Sequence, residues 1–218
     1  MIENLDRSHL VQIGKMMANY HRIVEESSLA NRVPVSDVFS RGYVLKEMGV
    51  FRTEILRRTK RNTRDAIFLV ESTKLITLLQ CLDDSPYPRL MRYHIHRDII
   101  PENLIWSRGK LVGLVDFENV SRTREPLVKD VAVTLQFACR DKESRMGLDL
   151  DRARGFLRAY TRQHLLSMKE LRLVPDLLVS GLIEDFEYAY WMLRNDPARA
   201  SLGRLKRYSG AARCVFAN

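Results

Sequence analysis

Leu10, Ile13, Met17, Tyr20 and Val24 fall on one face of a helix, and the spacing predicts an amphipathic helix over residues 6–28 with Asp6 or Ser8 as its cap. Residues 29–35 break the pattern, with Pro34 as punctuation. Ser36 to Arg61 is helix-like again but less cleanly periodic, with Gly42 and Gly49 inside it. Asp65 to Leu82 carries Ile67, Phe68, Val70, Leu75, Leu78 and Leu79, which suits a buried helix ended by Asp83-Asp84-Ser85-Pro86.

The character then changes. Arg89 to His94 is short and reads as extended. Leu104-Ile105-Trp106 and Leu111-Val112-Gly113-Leu114-Val115 are apolar runs flanking Ser107-Arg108-Gly109-Lys110. That is a hairpin signal, because glycine takes the positive φ of a tight turn. From Pro126 onward the spacing is helical, over Leu127 to Cys139, Asp151 to Leu166, Pro175 to Asn195 and Pro197 to Val215. Asp151 is the expected cap of the second of these, and Pro175 and Pro197 suit helix starts. The expected fold is mainly α, a helical domain with one small β-hairpin embedded in it.

Composition narrows the class. The chain has 218 residues, 45% hydrophobic and 29% charged, which suits one soluble domain with a sizeable core or one domain with a small subdomain. Cys81, Cys139 and Cys214 form no CxxC pair and are odd in number. That points away from a disulfide framework or a zinc site, and toward buried thiols in a reducing cytoplasm. The N-terminus lacks the basic-then-apolar pattern of a signal peptide, and no run approaches the ~18 apolar residues of a membrane span. The net charge of +9 suits phosphate-bearing ligands, nucleic acid or membrane surfaces, and equally a general solubilising surface. The basic stretch Arg57 to Arg64 has no interleaved aromatics, so it reads as a solvated helix face rather than a nucleic-acid contact.

The chemistry gathers around the hairpin. The segment His96-Arg97-Asp98-Ile99-Ile100-Pro101-Glu102-Asn103 places a carboxylate and an amide five positions apart on a loop. Asp116 follows thirteen positions later, where the second strand ends. A hairpin folds its two ends together, so Asn103 and Asp116 should meet, with Asp98 leading into the same end. Oxygen ligands gathered in this way suit Mg2+, which takes carboxylates, amide oxygens, water and phosphate oxygens. One aspartate that orients a hydroxyl, with an asparagine and a second aspartate on the metal, is the layout of phosphoryl transfer. The order H-x-D-x-x-x-x-N followed by D-F is far more specific than any one of its residues.

The segment resembles the catalytic and metal-binding loops of the aminoglycoside phosphotransferase family, whose superfamily includes choline, ethanolamine and homoserine kinases and is similar in fold to protein kinases. The resemblance implies that Asp98 is the catalytic base, that Asn103 and Asp116 are metal ligands, and that His96 holds the loop in shape. It implies Mg2+ as cofactor and ATP as co-substrate, with a small-molecule hydroxyl as acceptor. Protein kinases themselves fit less well. Ile100 stands where a lysine is usual, Glu118 replaces the glycine of D-F-G, and no A-P-E segment follows. Arg97 departs from the small-molecule family, where glycine is commoner, and the sequence assigns it no role. Leu127-Val128-Lys129-Asp130-Val131-Ala132 resembles the helix after the metal loop, in which Asp130 would brace the catalytic loop. Residues 6–23 resemble the first helix of the family's C-terminal lobe, with His21 near its end.

In this family the acceptor lies among the C-terminal helices. Here Glu184, Asp185 and Glu187 cluster near Tyr188, Tyr190 and Trp191, and Glu184, Asp185 and Trp191 are the candidates for holding a cationic acceptor by charge and cation–π attraction. The alternative is that the aromatics are core and the acids a solvated face. Among the ten glycines no G-x-G-x-x-G run occurs, and no strand-borne lysine precedes the first helix. Residues 1–218 are therefore expected to form the C-terminal lobe alone, with a separate N-terminal kinase lobe as a partner and neither membrane nor nucleic acid. A non-catalytic module with the same lobe fold is the competing function, favoured by the missing lobe and opposed by the intact Asp98, Asn103 and Asp116.

Overall fold

A computed structural model describes residues 5–27, 41–83, 85–120, 124–140 and 148–195. The interruption expected over residues 29–35, the expected helix Pro197 to Val215 and Cys214 lie outside the described residues. The chain forms two compact units, Met1–Ser36 with Ser85–Val174, and Asp37–Asp84 with Pro175–Asn218. The fold is mostly helical with one small antiparallel hairpin, as the pattern predicts. Among the described residues no helix is long and apolar enough to cross a membrane.

In the first unit, α1 (Arg7–Glu26) starts at Asp6, whose carboxylate accepts the Ser8 and His9 amides at 2.8 and 3.0 Å. The Asp6 amide in turn donates to His9 Nδ1 at 3.2 Å, so Asp6 and not Ser8 is the cap. Leu10, Ile13, Met17, Ala18 and His21 are buried on one face. The packing partner of α1 is α5 (Leu150–Thr161), and Gly14 permits the approach: a Cβ there would lie 2.7 Å from the Phe156 carbonyl oxygen. Asp149, not Asp151, caps α5. Its extended backbone lets its carboxylate reach the Arg152 amide at 3.0 Å, whereas Asp151 is already in the first turn. The helix stops at Thr161 instead of Leu166, because the Gln163 and His164 amides both turn back onto the Tyr160 carbonyl.

The hairpin pairs β1 (Leu104–Ser107) with β2 (Lys110–Leu114), with a bulge between Ile105 and Trp106. Arg108 and Gly109 both have positive φ, 48° and 73°, the signature of a two-residue hairpin turn. Gln12 of α1 ties the turn down, donating to the Gly109 carbonyl at 3.1 Å and accepting the Leu111 amide at 2.9 Å. Arg89 to His94 is only partly extended. Tyr87–Arg89 is a 3-10 turn, and Tyr93 alone pairs, with Glu125 through two 2.9 Å bonds. Next comes α4 (Val128–Ala138), which is buried on almost every side.

The second unit contains α2 (Arg41–Leu56), α3 (Thr63–Cys81) and α6 (Met168–Asn195) from Pro175 onward. Pro175 does not start α6; it lies inside it. The start signal is Ser167-x-x-Glu170, a capping box in which Glu170 accepts the Ser167 amide at 2.7 Å and Ser167 Oγ accepts the Glu170 amide at 3.3 Å. Phe68 stacks on Phe186 with ring centroids 5.2 Å apart and lies 4.1 Å from the Tyr190 ring, forming an aromatic core with Phe51. Buried Asp65 accepts bonds from Arg58 and the Tyr190 hydroxyl, each at 2.7 Å. Burial works against its charge, but the bonds from Tyr190, the Asn62 backbone and Arg58 outweigh it and hold the carboxyl below its usual range. The basic stretch is thus not a uniformly solvated face: Arg57, Lys60 and Arg61 are exposed, while Arg58 is an internal ion-pair partner. Cys81 is exposed, contrary to the expected buried thiol, and Cys139 is buried, its thiol pushed up to about 12 chiefly by burial.

Candidate active site

The loop of residues 93–103 is held from α4. Asp130, wholly buried, accepts the His96 amide at 2.9 Å on one oxygen and the Arg97 amide at 2.6 Å on the other. One turn later on the same face, Thr134 Oγ1 donates to the Ile99 carbonyl at 2.7 Å. These bonds satisfy the loop backbone while Arg97 takes a left-handed φ of 70°, a conformation that costs a non-glycine residue about 1 kcal/mol. The family's usual glycine would bear no such cost. Arg97 Nε lies 3.0 Å from Glu125 Oε1, a wholly buried carboxylate that also accepts the Tyr87 hydroxyl at 3.0 Å. Burial pushes the Glu125 carboxyl up, against the pull of Lys129 and Arg97. The guanidinium is therefore an internal countercharge.

Next to this turn stands Asp98. Asn103 Nδ2 donates to the Asp98 carboxylate at 2.8 Å and to its carbonyl at 2.9 Å, which leaves Asn103 Oδ1 available to a cation. The Asn103 carbonyl accepts the Val115 amide at 3.0 Å, and buried His96 donates from Nε2 to the Val115 carbonyl at 3.0 Å. Both bonds pin the far end of the hairpin against the loop. Asp116 follows with φ 68° and ψ 58°, so two of the three non-glycine residues with positive φ among the described residues flank this site. Phe117 sets its ring edge to face with His96, centroids 4.7 Å apart.

The Asp98 carboxyl is pushed up by burial first and also by the like charge of Asp116, against the bond from Asn103. A cation between the carboxylates would relieve that repulsion. Two carboxylates and an amide oxygen form a hard donor set suited to a hydrated divalent ion. Among the described residues no group of three or more His, Cys, Asp or Glu is placed to hold a metal. A donor set this small suits an ion that keeps water or phosphate oxygens in its shell.

Residues 3–170 match the family model of the phosphotransferase enzyme family. The chain belongs to this family. Within it, a homoserine kinase of Pseudomonas aeruginosa is 28% identical over 121 residues, 56% of this chain and 35% of the relative. A homoserine kinase of Bradyrhizobium sp. is 37% identical over 87 residues, 40% of this chain and 25% of the relative. The match therefore spans about a third or less of these curated relatives. An aminoglycoside phosphotransferase structure from Alicyclobacillus acidocaldarius superposes with a TM-score of 0.60 at 16% identity, covering 97% of this chain and 65% of that one. An amicoumacin kinase in complex with AMP-PNP, Ca2+ and Ami superposes with a TM-score of 0.60 at 13% identity, covering 97% and 59%. At these identities the structural likeness establishes the kinase-like fold.

The remaining candidates lie on α6 in the second unit. Trp191 is exposed and stacks on Tyr188, centroids 6.0 Å apart, while Tyr190 is core. Glu187 is 9% exposed, its Oε1 has no hydrogen-bond partner among the described residues, and its carboxyl is pushed up to about 8 by burial and then by Glu184 and Glu47. Two contributors escape the sequence reading. Thr134 carries a readable signal, its i+4 spacing from Asp130. Glu125 carries none, because its role depends on Arg97 and Tyr87 meeting it in space.

Proposed function

We propose that this chain carries the base and metal ligands of a small-molecule kinase that moves the γ-phosphoryl group of ATP to a hydroxyl. The observation that carries the reading is the Asn103 to Asp98 bond with Asp116 beside it at the end of the hairpin. Asp98 orients the acceptor hydroxyl and takes its proton. Asn103 Oδ1 and the Asp116 carboxylate hold the divalent ion, for which we assign Mg2+. That ion, when bound with ATP, neutralises charge on the transferred phosphoryl group. His96 and Asp130 position the loop and touch no substrate.

On the acceptor side, Glu184, Asp185 and Trp191, joined by Glu187, are assigned to a cationic group of the substrate, by charge and cation–π attraction. The homoserine kinase relatives make homoserine the first acceptor to try, followed by amino alcohols, glucosamine and aminoglycosides. We further assign the exposed apolar residues Ile105, Val112, Val115 and Phe117, on and just after the hairpin, to the docking of a nucleotide-binding lobe. Adding such a lobe to the chain should then raise turnover, because phosphoryl transfer depends on how firmly the phosphates are clamped.

The test is a coupled assay with Mg2+ and ATP across this acceptor panel, with and without a family nucleotide-binding lobe. Asp98→Ala should slow any turnover by roughly 10²–10⁴-fold. Turnover that survives Asp98→Ala sinks the mechanism. A second test needs no turnover. Mn2+ with ATP should broaden the NMR signals of Asp98, Asn103 and Asp116 in the parent and not in Asp116→Ala.

A further inference from the structure

Helices α1, α4 and α5 enclose a line of hydrogen bonds that the proposed chemistry does not use. It begins at Glu25, whose Oε2 lies 2.9 Å from His164 Nε2. His164 Nδ1 lies 3.0 Å from the Tyr160 hydroxyl, and the same hydroxyl lies 2.7 Å from His21 Nδ1. His21 Nε2 lies 3.2 Å from Asp130 Oδ2, the oxygen that accepts the His96 amide. The line therefore connects an exposed carboxylate to the backbone of the catalytic loop through wholly buried His21 and Asp130.

The hydrogens on this line can be counted. Asp130 is an acceptor, so His21 Nε2 supplies the hydrogen of their contact. Glu25, as a carboxylate, takes its hydrogen from His164 Nε2 in the same way. Two neutral imidazoles protonated at Nε2 would both turn a bare Nδ1 toward Tyr160. The phenol has one hydrogen, which burial keeps in place, and it can serve one ring only. The other contact would set lone pair against lone pair, at 2.7 or 3.0 Å. One more hydrogen completes the line.

We propose that His21 and His164 together hold one proton beyond their neutral forms in the folded protein, and that this shared proton positions the catalytic loop through Asp130. Calling the loop catalytic rests on the function proposed above; the proton count does not. Among the described residues, the charged and titratable groups around the line include Glu25 and Tyr20 from α1, Asp130 and Lys129 from α4, Tyr160 from α5, Glu170 from α6, Tyr93 ahead of the loop and Glu125 before α4. Without the shared proton Tyr160 serves one histidine only, and a neutral ring donates to Asp130 more weakly than an imidazolium does.

The test uses the full chain with 15N-labelled histidine. Long-range 1H–15N NMR spectra tell a neutral imidazole from an imidazolium at each nitrogen. His21 and His164 should show one imidazolium between them near neutral pH, and the His96 and Arg97 amides should shift along the same titration curve. In His164→Gln that curve should vanish from the Arg97 amide. Tyr160→Phe keeps the ring and removes the bridge, and should speed exchange of the Arg97 amide about tenfold, the share of one hydrogen bond. Two neutral rings in the parent overturn the proposal, whether or not the variants fold. An Arg97 amide indifferent to the titration overturns it too. These readouts need no acceptor, so a failed kinase assay and a failed proton line are separate results.

Discussion

Asn103 donates from one side-chain nitrogen to both the carboxylate and the carbonyl of Asp98, at 2.8 and 2.9 Å. One amide thus orients the proposed base, closes its loop and leaves its own oxygen for the proposed metal. The five-residue spacing has a physical meaning, because it lets the 3-10 turn Pro101–Asn103 bring the side chain back over Asp98.

That arrangement sets a conflict between stability and activity at Asp98. Its carboxyl is pushed up by burial and by Asp116, so the folded state favours the charged form less than the unfolded chain does. A raised carboxyl makes folding weaker as the pH climbs past its ordinary range, because the unfolded chain ionises first. Asp98→Asn should therefore melt at a higher temperature than the parent at neutral pH while losing phosphoryl transfer. Differential scanning fluorimetry beside the coupled assay checks both halves. A lower melting temperature would contradict the electrostatic account.

Arg97→Gly and Arg97→Ala should separate backbone strain from charge. Both remove the guanidinium from buried Glu125, and both should be less stable than the parent. Glycine also relieves the left-handed φ of 70°, so Arg97→Gly should exceed Arg97→Ala by about 1 kcal/mol in urea unfolding. Equal stabilities would mean that the backbone is not strained at this position.

Asp130→Ala leaves the buried His96 amide and the part-buried Arg97 amide without their acceptor. The expected cost is about 2–6 kcal/mol, from two unsatisfied amides at roughly 1–3 kcal/mol each. Hydrogen exchange should quicken at His96 and Arg97 more than at the hairpin turn. Uniform quickening would assign Asp130 a general role in the core in place of a local one.

Glu187 makes the second unit sensitive to pH. Its carboxyl rises from 4.5 to about 8, chiefly through burial. Between those values the folded state keeps a proton that the unfolded state has released, so stability should fall as the pH rises from 4.5 to about 8. Glu187→Gln should flatten that slope, measured by urea unfolding followed through Trp191. A cationic acceptor bound there should flatten it as well, by supplying the missing countercharge.

Much of this protein is written in short stretches of the chain. Period 3.6 places α1, α3 and α4, and Arg108-Gly109 makes the hairpin, because neighbours in sequence are neighbours in those elements. The set Asp98, Asn103 and Asp116 is legible for the same reason, since a turn and a hairpin suffice to bring them together. At two helix starts one local signal outweighed another: Asp149 displaced Asp151 as a cap, and α6, opened by the Ser167–Glu170 box, ran on through Pro175. Other features needed residues distant in sequence. Arg97 gained a role only when Glu125 met it, and Cys81 proved exposed because its helix turned that face outward. His21, Asp130 and Tyr160 stand on three helices, with His164 in the turn after α5, and they become one line only where Gly14 lets α1 close on α5. Sequence alone singled out the side chains proposed to carry the chemistry; tertiary packing decided which backbone the buried ones hold, since those bonds form only between surfaces that folding has already buried together.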